Sequence, residues 1–202
     1  MRLLALFAAA AALAFALGSG VVRPRAENHD ARWPGGVVNV YAPTLGTIDT
    51  MIFAAKRWTG SGADVKVRVV KHERDADVIV RLDDRRLHAV CGQRCFGFTA
   101  VLGRPREGKS EILLRESLGD PTPLAVWVAA HELGHVLGLR HRRGGATCTI
   151  MSPGWFDTRC APSMGAEVPR YRELWCVPAP VDVDAAARLY GGGVRSRSDR
   201  CA

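Results

Sequence analysis

An eleven-residue stretch, His131 to His141, restricts the structure of this chain more than any other part of the sequence. It reads His-Glu-Leu-Gly-His-Val-Leu-Gly-Leu-Arg-His. Residues four apart on a helix lie one turn apart on the same face. His131 and His135 can therefore offer two imidazoles to a single Zn²⁺. The spacing predicts a helix with a metal site on one face.

Glu132, Gly138 and His141 complete this pattern. Glu132 is offset by about a hundred degrees from His131 around the helix, so it is placed to reach a water on the metal instead of binding the metal. His141 lies too far along for the same helical face, and Gly138 permits the left-handed turn that brings it back beneath the metal. A pair of surface or core histidines is the alternative for H-E-x-x-H alone, but the full pattern is far more specific.

Hydrophobic periodicity predicts an α+β domain around this helix. β-branched and alternating apolar runs predict strands, and apolar residues at helical spacing predict helices. Thr122 followed by Pro123 predicts the start of the metal-site helix. In chain order we predict strand 37–41, helix 47–59, strands 65–70, 77–82, 96–102 and 111–115, helix 123–137 and helix 182–190. We predict a charged loop at 83–95 and a loop-rich lobe at 142–180.

The pattern and a following methionine resemble the metzincin superfamily of zinc metalloproteases. Its members share H-E-x-x-H-x-x-G-x-x-H and a methionine turn, and Met151 follows His141 in Cys-Thr-Ile-Met-Ser-Pro. The resemblance implies that Met151 is a hydrophobic base under the three imidazoles, with an ordinary core methionine as the alternative. It also implies a twisted, mixed five-stranded sheet, an active-site helix and a small loop-rich C-terminal subdomain ending in a helix.

Within the superfamily the chain is most similar to the matrixins and to small secreted bacterial peptidases of the snapalysin type. Ser152-Pro153 is similar to the matrixin Met-x-Pro, and Pro153 stands where astacins and serralysins place a tyrosine ligand. Snapalysins carry Asp as the third ligand, unlike His141 here. Residues 21–36 contain no cysteine, so we expect activity without removal of a matrixin-like cysteine-switch propeptide.

The resemblance implies an endopeptidase that acts on protein or peptide substrates with one catalytic zinc. Zinc on the three histidines would polarise the scissile carbonyl and activate a water, while Glu132 takes the water's proton and passes it to the leaving amine. A zinc hydrolase of cell-wall peptides or other amides would use the same ligands. A purely structural zinc site is the non-enzymatic alternative, but a closed structural site needs no base such as Glu132.

The resemblance also places the fourth strand at the sheet edge along the cleft. An extended substrate would then pair with the main chain there, whereas an interior strand would leave no free edge. The candidate substrate-binding residues are Gly97, Phe98, Thr99 and Ala100. The catalytic domain is expected to span residues 37–191, with its cleft near Gly138, between an extended lead-in at 21–36 and a tail at 192–202.

The first twenty residues predict a secretory signal peptide. Arg2 precedes an apolar run from Leu3 to Leu17, and Gly18-Ser19-Gly20 offers small residues for cleavage. We therefore expect a secreted protein. An uncleaved anchor over residues 3–22 is the alternative, since about 20 apolar residues are needed to span a bilayer.

Six cysteines follow this segment, an even number that predicts three disulfides in an exported chain. A metal cluster is the alternative, but apart from the first pair the cysteines lack ligand spacing. Fifteen connectivities are possible. Our first assignment is Cys91–Cys95, Cys148–Cys160 and Cys176–Cys201.

The net charge of +8 is spread along the chain, without a basic helix or aromatic interleaving. This distribution argues against nucleic-acid binding, and we expect a monomer. Calcium has no recognisable loop, although four aspartates are acidic enough to bind it: Asp75, Asp77, Asp83 and Asp84. The isolated histidines are expected to be exposed to solvent: His29, His72 and His88.

Overall fold

The computed structural model describes residues 31–142, 149–152 and 178–194. They contain one five-stranded mixed sheet and four α-helices. The fold of these residues is α+β. The elements in chain order are β1 (Val37–Tyr41), α1 (Leu45–Thr59), β2 (Lys66–Val70), β3 (Val78–Leu82), α2 (Asp84–Cys91), β4 (Gly97–Thr99), β5 (Ser110–Leu114), α3 (Pro123–Val136) and α4 (Pro180–Tyr190).

The strand order is β2-β1-β3-β5-β4. The first four strands in this order are parallel, and β4 runs antiparallel to β5 with Phe98 opposite Leu113. The edge position predicted for the fourth strand is confirmed. The strand covers Gly97–Thr99 and is shorter than the predicted 96–102, although one main-chain hydrogen bond to the segment of β5 follows at each end, from the Arg115 N–H to Phe96 O and from the Ala100 N–H to Glu111 O.

The core lies between the sheet and the pair α1 and α3, which pack against each other. In β1, Val38 and Val40 are fully buried and alternate with half-buried residues, as a strand covered mainly on one face should. Trp58 of α1 is also fully buried, and its indole Nε1 donates to Ala130 O of α3 at 2.7 Å. This bond fixes α3 against α1 next to the histidines.

Threonine caps begin both of these helices. The Thr122 hydroxyl accepts from the Ala125 N–H at 3.2 Å, as the sequence predicts for α3. The Thr44 hydroxyl accepts in the same way from the Thr47 N–H at 3.3 Å, so α1 starts two residues before the predicted position.

The predicted loop at 83–95 is wrong over most of its length, because α2 occupies Asp84–Cys91. Asp83 caps this helix by accepting from the Arg86 N–H at 2.8 Å. Leu87 is completely buried, and this single apolar contact anchors a helix whose other side chains are mostly polar. The predicted Cys91–Cys95 disulfide is present directly after it.

Both flanks of the predicted catalytic domain are packed. Trp33 in the predicted lead-in is buried, and Pro34–Gly36 form a 3₁₀ turn instead of an extended segment. After α4, Gly191 has a φ of +89° and its carbonyl accepts from the Asp64 N–H at 2.9 Å. Residues 31–36 and 191–193 therefore belong to the same packed unit as the sheet.

Several predictions fall outside the described residues. These are the signal peptide or anchor, most of the loop-rich lobe, His29 and the four remaining cysteines, Cys148, Cys160, Cys176 and Cys201. Within the described ranges, no helix is long and apolar enough to cross a membrane.

Candidate metal centre

Three histidine side chains converge at the C-terminal end of α3. The Nε2 atoms of His131 and His135 lie 3.1 Å apart, and each is 3.0 Å from Nε2 of His141. His131 and His135 are 7% and 8% exposed, whereas His141 is exposed. In the described part of the chain this is the one group of three or more histidine, cysteine or acidic side chains that can hold a metal ion.

The outer ring nitrogens of the two helical histidines face main-chain carbonyls. Nδ1 of His131 lies 2.6 Å from Ile150 O, and Nδ1 of His135 lies 2.8 Å from Leu139 O. A carbonyl can only accept, so each Nδ1 donates and each neutral ring keeps a lone pair on Nε2. Two unprotonated Nε2 atoms cannot hydrogen-bond each other. A shared cation is therefore the partner that fits them.

Burial favours the same protonation state. Burial and the neighbouring histidines hold the pKa of His131 well below its ordinary value. Burial lowers the pKa of His135 to about 4, partly offset by its bond to the Leu139 carbonyl. Both imidazoles are therefore neutral near pH 7, which is the form that binds zinc.

Gly138 makes the turn that the sequence predicts. Its φ is +92°, in the left-handed region that favours glycine. Just beyond it, the Leu139 N–H donates to Gly134 O at 2.9 Å. The chain reverses here, which aims the Leu139 carbonyl at His135 and carries His141 back to the other two rings.

Met151 lies against α3 between the two helical histidines. It is 1% exposed, and a Cβ on Gly134 would collide with its sulfur. Gly134 lies between His131 and His135 on the helix, so the absence of its side chain lets the methionine approach the backbone there.

The residue before the methionine connects His131 to α4. The Ile150 carbonyl accepts from His131, and the Ile150 N–H donates to Asp182 Oδ2 at 3.0 Å. Asp182 is completely buried. Burial raises its pKa, while hydrogen bonds from Thr149 and the backbone and the charge of Arg142 lower it.

The carboxyl of Glu132, the residue after His131 on α3, contacts β4. Glu132 is 4% exposed, and its Oε2 accepts from the Thr99 hydroxyl at 2.7 Å. Burial raises the pKa of Glu132 to about 8, against the lowering effect of the Thr99 bond. A cation held by the histidines would oppose this rise. A carboxyl group with a pKa shifted towards neutrality can both accept and return a proton.

Sequence reasoning missed three residues that support α3. Trp127 stacks on His131 with ring centroids 5.5 Å apart; its position four residues before His131 was the available signal. Trp33 Nε1 donates to Val136 O at 2.7 Å, and the Tyr190 hydroxyl donates to Leu137 O at 3.1 Å. These bonds satisfy carbonyls at the end of α3. Each joins residues far apart in the sequence, so no local sequence pattern indicates them.

The remaining candidates lie on or next to β4, beside Glu132, or in main-chain contacts elsewhere in the fold. Gly97, Phe98 and Thr99 form β4, and Ala100 follows it in an exposed position. Asp77 accepts from the Asn39 N–H at 2.8 Å and Asp84 from the Glu116 N–H at 2.8 Å.

Among the isolated histidines, His72 is exposed as predicted. His88 is half-buried, which differs from the prediction, because it lies on α2, next to the buried Leu87.

No protein-family model matches the sequence, and a search of curated proteins finds no match. The chain is an α+β protein in which a group of three histidines, two of them buried, can hold a metal ion such as zinc.

Proposed function

We propose that this chain is a secreted, zinc-dependent endopeptidase of the metzincin type. The observation that carries the proposal is the meeting of three Nε2 atoms within 3.1 Å, with the carboxyl of Glu132 on the same turn of α3. Three histidine ligands leave a tetrahedral ion one open position, which is the arrangement of catalytic zinc sites.

Each residue has a separate role in this proposal. His131, His135 and His141 hold the ion, which when bound would polarise the scissile carbonyl and acidify a water. Glu132 takes the proton of the attacking water and returns it to the leaving amine. The Ile150 and Leu139 carbonyls orient two of the imidazoles by accepting hydrogen bonds from their outer ring nitrogens.

Further features favour a metzincin over another zinc hydrolase. The turn at Gly138 occurs at the position that the metzincin pattern requires. Met151 packs against α3 between two ligands, which suits a methionine turn. The edge strand β4 is antiparallel to its neighbour and contacts α3, so a peptide could add to the sheet beside the metal.

The remaining parts of the proposal rest on sequence alone. Export follows from the predicted signal peptide, and the three disulfides from the even cysteine count. Protein or peptide substrates and a monomeric state complete the proposed activity.

The test is hydrolysis of a random peptide library by the purified protein, with and without a chelator. We expect cleavage that the chelator abolishes and added zinc restores. Glu132→Gln should keep about one zinc per chain and lose about 10²–10⁴-fold in activity or more. His135→Ala should lose both zinc and activity.

Three results would contradict this proposal. Cleavage by the Glu132→Gln variant at the parent rate would remove Glu132 from the mechanism, and loss of its zinc would make Glu132 part of the metal site. Chelator-sensitive cleavage of cell-wall amides without cleavage of ordinary peptides would replace the endopeptidase with another zinc amidohydrolase.

A further inference from the structure

Two residues of β4 contact the side chain of Glu132. Residues two apart on a strand point to the same face, so Gly97 and Thr99 both face α3. Thr99 reaches Oε2 of Glu132, and Gly97 lies against Oε1. The edge strand therefore lies beside the carboxyl of the proposed general base and hydrogen-bonds one of its two oxygens.

The Thr99 hydroxyl is committed to Glu132. Thr99 is 3% exposed, and its Oγ1 lies 2.7 Å from Oε2 and 3.2 Å from the main-chain carbonyl of the same residue. A hydroxyl has one proton to donate, and the shorter contact is the one to the carboxyl. Thr99 thus holds one oxygen of the carboxyl in place.

Gly97 lies beside the other carboxyl oxygen of Glu132, Oε1, and has no side chain to collide with it. A Cβ at this position would stand 2.7 Å from Oε1 and 2.9 Å from Cγ of Glu132, and 2.8 Å from Cγ1 of Val128. Any larger residue would have to displace Glu132 or the helix. With glycine here, no side chain of the strand presses on Oε1, while Oε2 accepts from Thr99.

We propose that Thr99 is a positioning residue for Glu132, and that Gly97 keeps the second oxygen of the carboxyl free to exchange a proton. This inference rests on the proposed peptidase function. An unrestrained glutamate samples several rotamers, and a base that is held in one of them spends more of its time in reach of the proton it must take.

The test compares two substitutions at Thr99 in the zinc-loaded enzyme. Thr99→Val keeps the branched shape and removes the hydroxyl. It should lower kcat about 10- to 100-fold, as expected for a hydrogen bond to a charged group, with KM and zinc content within about twofold of the parent. Thr99→Ser should restore most of kcat. If Thr99 had only a structural role, Thr99→Ser would not restore kcat while KM stayed unchanged.

Thr50→Val is the matched control. Thr50 is buried in α1, and its hydroxyl has no partner among the described residues. The same substitution there should leave kcat and KM unchanged.

Gly97→Ala should lower kcat while Thr99 is intact, because it displaces the carboxyl directly.

A double variant with Glu132→Ala tests whether Thr99 acts through Glu132. In that background Thr99→Val should have little further effect on residual activity, and it should shift the melting temperature less than it does in the parent. Equal effects in both backgrounds, or no rescue by Thr99→Ser, would overturn the proposal. The melting comparison needs no peptidase activity, so it still tests the contact if the parent cleaves no peptide and the proposed function fails.

Discussion

His131 and His135 lie one turn apart on the same helix, but different parts of the chain hold them. Nδ1 of His135 donates to Leu139 O, four residues later and inside the turn at Gly138. Nδ1 of His131 donates to Ile150 O, nineteen residues later. Ile150 is itself bound to Asp182 on α4, another 32 residues along the chain.

This difference separates local from long-range support within the candidate metal site. The orientation of His135 depends on a turn that the eleven-residue pattern contains. The orientation of His131 depends on the correct placement of the methionine segment and of α4. Damage to the long-range contacts should therefore affect His131 while leaving the geometry around His135 intact.

The largest effect is expected from Asp182→Ala, which removes the long-range anchor. It leaves the buried Ile150 N–H without its acceptor, at a cost of about 1–3 kcal/mol of unfolding free energy. Zinc affinity should fall about 10- to 100-fold, as for other residues that orient a ligand. Chemical denaturation and zinc titration measure the two effects.

Asp184→Ala is the control, since Asp184 is exposed on the same helix. It should change neither quantity appreciably. Zinc affinity unchanged in Asp182→Ala would show that His131 does not depend on this contact, and would remove the contrast between the two histidines.

The same contrast explains what the sequence could predict. The turn at Gly138, the cap at Thr122 and the apolar runs of the strands are local signals, and the structure has the turn, the cap and strands at all five predicted positions. The contacts from Asp182 to Ile150 and from Thr99 to Glu132 join segments that are distant in the sequence. Hydrophobic periodicity within one segment cannot predict such contacts. Helix α2 was missed because a polar segment with one buried leucine has too weak an apolar pattern.

The next effect is expected from Gly138→Ala, which acts on the local support. A φ of +92° is unfavourable for a residue with a Cβ, at a cost of about 1–2 kcal/mol. Relaxation of the turn would move the Leu139 carbonyl away from His135 and shift His141. We expect zinc affinity to fall about tenfold or more.

Gly92→Ala provides the comparison for this variant. Gly92 ends α2 with a φ of +90° and has open space around it. Its substitution should cost similar stability with no loss of zinc affinity. An equal loss of zinc affinity in both variants would mean that general destabilisation, not the turn, weakens the site.

Asp182 also predicts a pH dependence of stability. Burial raises its pKa above the ordinary 3.8, so the folded state binds the proton more tightly than the unfolded state. Stability should therefore fall as the pH rises from about that value through the folded pKa, by at most about 1.4 kcal/mol per pH unit. Asp182→Asn does not titrate and should lack this slope.

The measurement is chemical denaturation of the two proteins with a chelator present, because acid would otherwise release the metal. Asp184→Asn should keep the slope of the parent. A parent that gains stability relative to Asp182→Asn as the pH rises would show that Thr149 and Arg142 outweigh the cost of burial.

The smallest effect on the site is expected from Thr122→Ala, at the far end of α3. The hydroxyl caps the helix nine residues before His131, and its loss should cost about 1 kcal/mol of unfolding free energy. Thr44→Ala should cost a similar amount at the start of α1. Zinc affinity should stay within about twofold of the parent in both, because neither cap contacts a ligand or its carbonyl partner. If Thr122→Ala alone weakened zinc binding, fraying at the start of α3 would reach the histidines. Support for His135 would then extend along the whole helix instead of residing in the turn at Gly138.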